Sequence, residues 1–428
     1  MDKTDETCQY LRELLAQRQI LTQSFFSYKH NLDGNTRSIK ACLRLLKKAS
    51  GGGLEEKKQL AFFQTENADE LVSAIHQACT FKPDDILLLL QLILSAKPAL
   101  TAGVVDKLGQ SQVPALQFLS AQLILTLGGN NGQGADLHIF LRIADKGSYS
   151  AYHLILLAGY YHNILGQVLA AVINEAPDEV FQNPPGLEYY IAGQPPLSQL
   201  YLKVLFSAGK DKALKEGDCL LLLKLFIECE YLSSHLFEIF ILSLGEESLT
   251  RVINQLSSAL EQSPDSVDRQ QGCRQPLEES LIFAMALSGY SKFIPFLARY
   301  LQSPIYKEQA FTGLRLLLGD KLDLFIPPAI QFNSDEAQRL TDLSYYGAKI
   351  LGCWQSVLTT GGLSEHQQEQ TKQKAEISPR LFNGLPPTVE NIESILLHGS
   401  LVHRRYACLH KRILIPEQAC PHYLSVVS

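Results

Sequence analysis

Apolar residues recur along this chain with helical spacing, in runs that come in pairs separated by a short turn. The clearest pair surrounds Gly289. In the run after this glycine, apolar residues stand at i, i+1, i+4 and i+8 and so share one stripe of a helix: Phe293, Ile294, Leu297 and Leu301. No stretch alternates apolar and polar residues as a half-buried strand does. The pattern predicts an all-α fold.

Glycines end many of these runs and indicate a repeat. Successive glycines of this kind are 30 to 50 residues apart, by subtraction of their numbers: Gly128, Gly159, Gly209, Gly245, Gly289, Gly319 and Gly352. Glycine adopts the left-handed conformation of a helix C-cap at little cost, so we predict that each of them ends a helix. One hairpin cannot bury its apolar sides alone, and neighbouring hairpins supply the missing contacts. We therefore predict one continuous, right-handed α-solenoid of helical hairpins.

The sequence divides into three parts according to where the helix-ending glycines occur. Residues 1–80 lack the helix-ending glycines and are predicted to form a helical cap, whereas residues 81–352 form the solenoid and residues 353–428 an irregular segment with a C-terminal helical pair. Segments 183–196 and 263–276 are predicted to be inserted loops, because the first has four prolines and the second is polar. Insertions in a solenoid often contact partners.

Composition narrows the class of protein. The 428 residues carry a formal net charge of -6, which argues against the broad phosphate-neutralising surface of a general nucleic-acid binder. No apolar run approaches the roughly 20 residues that span a bilayer, and the N-terminus lacks the charge pattern of a secretory signal. The nine cysteines are odd in number and form no CxxC pair, as expected of reduced thiols. We predict a cytoplasmic protein without membrane insertion.

Residues that carry chemistry are not arranged in a recognisable motif. The eleven histidines include no His-Glu dipeptide, and the closest sets, His398 with His403 and His153 with His162, lack a nearby carboxylate at ligand spacing, so we predict no metal site. The glycine-rich stretch from Gly128 to Gly134 follows a predicted helix, whereas a dinucleotide fingerprint requires a strand, and it is more simply a turn. No GxSxG elbow is present. We predict no catalytic residue and no cofactor, and we expect that the chain is not an enzyme.

Aromatic residues beside turns are the first candidates for partner binding, because such residues are enriched at interface hot spots. Tyr189 and Tyr190 lie in the first insertion, and Tyr345, Tyr346 and Trp354 lie along or near the end of one predicted helix. Packing in the core of the solenoid would account for the same residues. Both interpretations remain open at this point.

A basic helix near the C-terminus supplies the second set of candidates. Arg404, Arg405 and Arg412 belong to the predicted last helix, which is the most basic patch of the chain. A solvated helix face, an acidic protein partner or RNA would each account for this charge. The helix at 37–48 is also basic, and a positive groove shared by the two helices would favour nucleic acid.

Two resemblances add to this interpretation. Hairpins of the form AxALxG, a turn and then xxIPxLxxxL, as in Ala284 to Leu301, resemble HEAT repeats of the short bacterial type. The match covers residues 276–330 and, more loosely, 112–260. The segments AFTGLRLLLGD, RLFNGLP and ENIESILLHGSLVHRRYACLH also resemble an uncharacterised proteobacterial HEAT-like family, some members of which lie near type VI secretion genes. The first resemblance implies an α-solenoid, and the second implies a partner that belongs to a bacterial secretion apparatus.

These observations favour a non-enzymatic scaffold or adaptor whose solenoid surface binds another protein. The alternative is a HEAT-like protein that binds or modifies nucleic acid through the basic C-terminal helix. Such a protein would lose affinity steeply as the salt concentration rises.

Overall fold

The computed structural model of this chain is entirely helical in the part that it describes. It describes residues 3–48, 67–77, 83–127, 149–173, 188, 190–208, 216–262, 271–331, 335–360 and 380–415. Within these ranges the regular elements are α-helices and short 3-10 helices, and the only β pairing is two isolated bridges. The all-α prediction is confirmed.

The chain forms two compact units, Met1–Leu205 with Glu393–Ser428 and Phe206–Ile392. The helices up to the end of α9 are α1 (Lys3–Gln23), α2 (Lys29–Lys48), α3 (Ala68–Gln77), α4 (Pro83–Ala96), α5 (Thr101–Gln110), α6 (Pro114–Leu127), α7 (Tyr149–Tyr161), α8 (Leu165–Ile173) and α9 (Pro196–Ala208). The later helices are α10 (Glu216–Glu228), α11 (His235–Ser243), α12 (Glu246–Gln262), α13 (Gln271–Ser288), α14 (Ile294–Tyr300), α15 (Lys307–Leu318), α16 (Pro328–Gln331), α17 (Glu336–Thr360), α18 (Val389–His398) and α19 (Leu401–Leu414). The predicted division at residues 80 and 352 stays a prediction.

An N-terminal hairpin and the last helix pack together in the first unit. Helices α1 and α2 are joined by polar contacts, since the Asn35 side chain donates to the Leu14 carbonyl at 2.9 Å. Helix α19 contacts α1, and the Leu401 amide donates to the Ser27 carbonyl at 2.7 Å. The His403 ring meets Phe25 edge to face, 5.1 Å away. The C-terminal helix thus closes on the first hairpin of the chain.

Within each unit, a helix contacts the next helix in the chain or the one after it. In the first unit α5, α6 and α7 contact one another in sequence, and α3 contacts α5 while α4 contacts α6. In the second unit α10 contacts α12, α11 contacts α13, and α13 contacts α15. An aromatic cluster fills the core there, with the ring of Phe226 5.1 Å from Phe237 and 5.2 Å from Phe240.

Two of the glycines predicted to end helices follow a helix and have a positive φ. Gly289 follows α13 with φ of +76°, and Gly319 follows α15 with φ of +57°. Neither site tolerates a side chain, because a Cβ on Gly289 would lie 2.5 Å from the Leu381 carbonyl oxygen. For these two positions the C-cap prediction is confirmed.

Other glycines have different roles, and the C-cap prediction is wrong for them. Gly159 lies inside α7, which ends at Tyr161. The residue with a left-handed φ after this helix is Asn163, at +58°. Gly352 lies within α17, which continues to Thr360. Gly245 follows α11 outside the left-handed region. The remaining two, Gly128 and Gly209, lie outside the described residues.

Part of each predicted insertion is helical in the structure. Within the first insertion, residues 190–192 form a helical turn, and Pro196 is the first residue of α9, where a missing amide hydrogen costs nothing. Within the second, residues 271–276 form the start of α13 with Pro276 inside the helix. Polar composition suits an exposed helical turn as well as a loop, so it does not distinguish the two. In the first insertion the structure describes residues 188 and 190–196, in the second residues 271–276, and the other residues of both insertions lie outside the described part.

An irregular segment after residue 379 covers the C-terminal ends of several helices in the second unit. The guanidinium of Arg380 donates to the Ser288 carbonyl at 2.8 Å and to the Leu242 carbonyl at 3.1 Å. The Asn383 amide donates to the Leu316 carbonyl at 3.1 Å. Carbonyls at a helix C-terminus have no partner within their own helix, so this segment satisfies the ends of α11, α13 and α15.

Candidate functional site

Helix α17 carries three of the five predicted aromatic candidates, Tyr345, Tyr346 and Trp354, and several contacts hold it against its neighbours. Asp335 caps its N-terminus by accepting a hydrogen bond from the Gln338 amide at 3.1 Å. Gly347 faces α14 so closely that a Cβ there would lie 2.7 Å from the Ala298 carbonyl oxygen. An ion pair between Arg339 and Glu308, 2.8 Å long, joins α17 to α15. These contacts fix which side of the helix faces solvent.

The solvent-facing side of α17 has one exposed tyrosine near its centre. Five exposed uncharged residues at helical spacing form one strip of this side, the Tyr345 face: Ala337, Thr341, Tyr345, Ala348 and Gly352. Exposed Gln338 and Lys349 border the strip. Tyr345 keeps 67% of its surface exposed, which makes this strip the candidate surface of α17.

The neighbouring tyrosine orients the ring of Tyr345. The two rings are 5.1 Å apart and meet edge to face at 83°. Tyr346 is half-buried, and the Lys349 ammonium lies over its ring, 5.6 Å from the centroid. Such contacts stabilise aromatic side chains by about 0.5–1.5 kcal/mol beyond their burial. Tyr345 therefore presents a ring that is already oriented for a partner.

The structure does not bring the other aromatic candidates into this surface. Tyr190 is half-buried in a helical turn before α9. Tyr189 lies outside the described residues. Trp354 belongs to α17, but its side chain lies outside the described part of the chain.

Arg412 has a structural position, which corrects its prediction as a partner-binding residue. Its side chain is only 3% exposed, and Nε donates to the Tyr160 carbonyl at 2.9 Å. A terminal nitrogen lies 3.4 Å from Asn163 Oδ1, and the guanidinium stacks 4.6 Å from the centroid of the Tyr160 ring. The physical reason is that α7 ends here, and a cation favours the negative end of a helix dipole.

Arg404 and Arg405 lie elsewhere on α19 and are half-buried. The guanidinium of Arg405 lies 5.1 Å from the centroid of the Tyr406 ring. The helix begins at Ser400, whose hydroxyl accepts a hydrogen bond from the His403 amide at 3.3 Å. The three arginines therefore do not form one exposed basic surface, because Arg412 is buried.

A groove between α1 and α2 is the site that sequence reasoning missed. It is a shallow cavity of about 410 Å³, called here the α1–α2 groove, and is lined by Glu6, Thr7, Tyr10, Ser38, Ala41, Cys42 and Leu45. Tyr10 and Leu45 are 51% and 61% exposed. The signal in the sequence was the spacing of Arg37, Lys40 and Arg44, which places three cations along one side of α2.

Three groups of types that act in catalysis, one histidine and two cysteines, are buried in the described part of the chain. His153 stacks on Tyr201 at 4.4 Å and pairs with the Ser198 hydroxyl at 3.1 Å, and burial lowers its pKa to about 4. Burial raises the pKa of the Cys42 and Cys219 thiols, which opposes formation of the nucleophilic thiolate. The described residues include no cluster of three His, Cys, Asp or Glu side chains able to hold a metal ion.

None of the described helices is both long and apolar enough to cross a bilayer by itself. One pair, Asp85–Leu94 with Pro98–Gln110, meets the length and composition criteria when its two helices are taken together, and the pair is bent by 117°.

Comparison with known proteins gives no relative for this chain. No protein-family model matches it, and the searches of curated proteins and of solved structures find no similar chain. The HEAT-like resemblance therefore stays a prediction. Function has to be inferred from the contacts and exposed surfaces of this chain alone.

Proposed function

We propose that this chain is a non-enzymatic scaffold or adaptor that binds another protein, with helices stacked in each unit as HEAT-like hairpins are. Helices two positions apart contact each other repeatedly, as α3 and α5 do in the first unit and α11 and α13 in the second. Such contacts are expected where successive hairpins stack in parallel layers. This local packing supports the solenoid interpretation.

The observation that carries the proposal is the Tyr345 face. An exposed aromatic residue on a rigid helix offers a large contact area, and its loss of rotamer freedom on binding is small because Tyr346 already orients the ring. The small residues around it let a partner approach the helix backbone closely. Tyr345 would be the anchor of the interface, and the small residues of the Tyr345 face would exclude water around it.

Replacement of Tyr345 by alanine tests the proposal. Alanine is a good helix former and Tyr345 is exposed, so Tyr345→Ala preserves the fold while it removes the anchor. In affinity capture from the native host, we expect at least one protein to be retained roughly tenfold less by Tyr345→Ala than by the unchanged chain. The measurement is quantitative mass spectrometry of the captured proteins.

The matched control is Lys224→Ala, which removes a side chain that is 71% exposed on α10. Retention of the same protein should be unchanged by this control. Equal capture by all three chains would contradict the proposal. Enrichment of RNA or DNA without a protein would favour the nucleic-acid alternative, which the burial of Arg412 makes weaker.

A further inference from the structure

The α1–α2 groove is preformed, because contacts between the two helices hold its walls in place. The Arg18 side chain donates to the Thr36 hydroxyl at 2.7 Å, and Asn35 donates to the Leu14 carbonyl at 2.9 Å. Cys42, which lines the groove, is buried. A ligand of this groove would therefore meet a rigid surface.

Apolar side chains alternate with polar ones along the walls of the groove. Tyr10 on α1 and Leu45 on α2 both line it and keep more than half of their surface exposed. The α2 lining repeats at i, i+3, i+4 and i+7, through Ser38, Ala41, Cys42 and Leu45. A groove that runs along a helix hairpin in this way suits another helix, whose apolar side chains follow the same spacing.

The two edges of the groove, called here its rims, differ in charge: the α2 rim is basic and the α1 rim is acidic. On α2, exposed Arg37, Lys40 and Arg44 each precede a residue that lines the groove, and none of them pairs with a carboxylate in the described part of the chain. On α1, Glu6 lines the groove and Glu13 follows two turns later. The acidic rim opposes a polyphosphate or an anionic membrane. A helix with acidic residues on one edge only can place that edge against the basic rim and keep it away from the acidic rim.

We propose that the α1–α2 groove binds one amphipathic helix of a partner protein, with its apolar ridge between Tyr10 and Leu45 and its acidic edge against Arg37, Lys40 and Arg44. This site belongs to the first unit and is independent of the Tyr345 face. The apolar ridge supplies affinity, and the unequal rims fix the direction and the edge of the bound helix.

The experiment uses the full chain and two fluorescein-labelled helical peptides of about 14 residues, or four turns. Both carry leucines at i, i+3 and i+7, and one has glutamates along one edge where the other has lysines. Fluorescence anisotropy should show that the chain binds the glutamate peptide roughly tenfold more tightly than the lysine peptide. Affinity for the glutamate peptide should fall as the salt concentration rises, because exposed charges are screened.

Two single charge reversals distinguish the groove from general electrostatics. Arg44→Glu should weaken binding of the glutamate peptide about fivefold or more and strengthen binding of the lysine peptide. Arg12→Glu makes the same change at an exposed position of α1 outside the groove lining, and it should leave both affinities unchanged. Both residues are exposed, so circular dichroism should confirm an intact fold in each variant.

Four outcomes would overturn the proposal. These are equal binding of the two peptides, equal effects of the two reversals, preferential binding to phosphatidylserine vesicles, and a homodimer that is lost in Leu45→Glu. Because Tyr345→Ala leaves this groove intact, it should bind the glutamate peptide normally. A failure at one site is therefore distinguishable from a failure at the other.

Discussion

Arg412 shows how one buried cation can connect distant parts of a chain. Its guanidinium binds the Tyr160 carbonyl and lies near the side chain of Asn163, about 250 residues earlier in the sequence. Tyr160 is also the ring over which Arg412 stacks. A planar guanidinium can make these contacts together, and an ammonium group cannot reproduce their geometry. The residue therefore fastens α19 to the end of α7.

Loss of this cation should destabilise the first unit. We expect Arg412→Ala to lower the free energy of unfolding by about 2 kcal/mol, because it removes a buried side chain together with its hydrogen bond to the Tyr160 carbonyl and its stacking on the Tyr160 ring. Arg412→Lys should recover only part of this loss. The measurement is urea unfolding followed by circular dichroism.

Arg404→Ala on the same helix is the control for this prediction. Its side chain is half-buried, and no ion pair to it occurs among the described residues, so its replacement should cost clearly less. If Arg412→Ala unfolds at the same urea concentration as the unchanged chain, the structural role assigned to Arg412 is wrong.

Helix ends separate what the sequence could predict from what it could not. A glycine after an apolar run correctly predicted that helices end with a positive φ at Gly289 and Gly319. The same signal failed at Gly159, which lies inside α7 where α8 comes close: a Cβ there would lie 3.2 Å from the Leu165 Cα, a tight contact. Sequence alone does not distinguish a cap from a close approach, because both require the absence of a side chain.

Alanine substitutions should reveal this difference in the second unit. Gly289→Ala should lower the free energy of unfolding by at least about 1 kcal/mol, because φ is +76° and the new Cβ would meet the Leu381 carbonyl oxygen. Gly352→Ala should raise it by up to about 1 kcal/mol, because this glycine lies inside α17 with open space around it. Thermal unfolding of both variants measures the contrast, and equal effects would contradict the assigned conformations.

The helices could be predicted from the helical spacing of apolar residues, but contacts between residues far apart in the sequence could not. The C-terminal pair was predicted as two helices and is found as α18 and α19. Its return to α1 and α7 was not predicted, because Ser27 and Tyr160 carry no local signal that they bind residues near the other end of the chain. The same limit applies to Arg380, whose partner Leu242 is 138 positions away in sequence.

The candidate sites also divide into features that the sequence could predict and features that depend on the packing of helices. The exposed aromatic residue Tyr345 could be selected from its type and its place in a helix, whereas the burial of Arg412 depended on the tertiary fold. The α1–α2 groove was missed because it exists only when two helices pack, although its basic row was visible in the sequence. Residue type therefore selected one residue that is exposed, whereas charge density did not distinguish a buried cation from an exposed one.

Photo-crosslinking from position 345 is the most direct test of the proposal that this chain binds a protein through α17. A benzoyl-phenylalanine replaces Tyr345 in cells of the native host, and the control carries it at Lys224, which is similarly exposed. The proposal predicts a discrete protein adduct from position 345 and none of that mass from position 224. The absence of a protein adduct from position 345, or the same adduct from both positions, would contradict it.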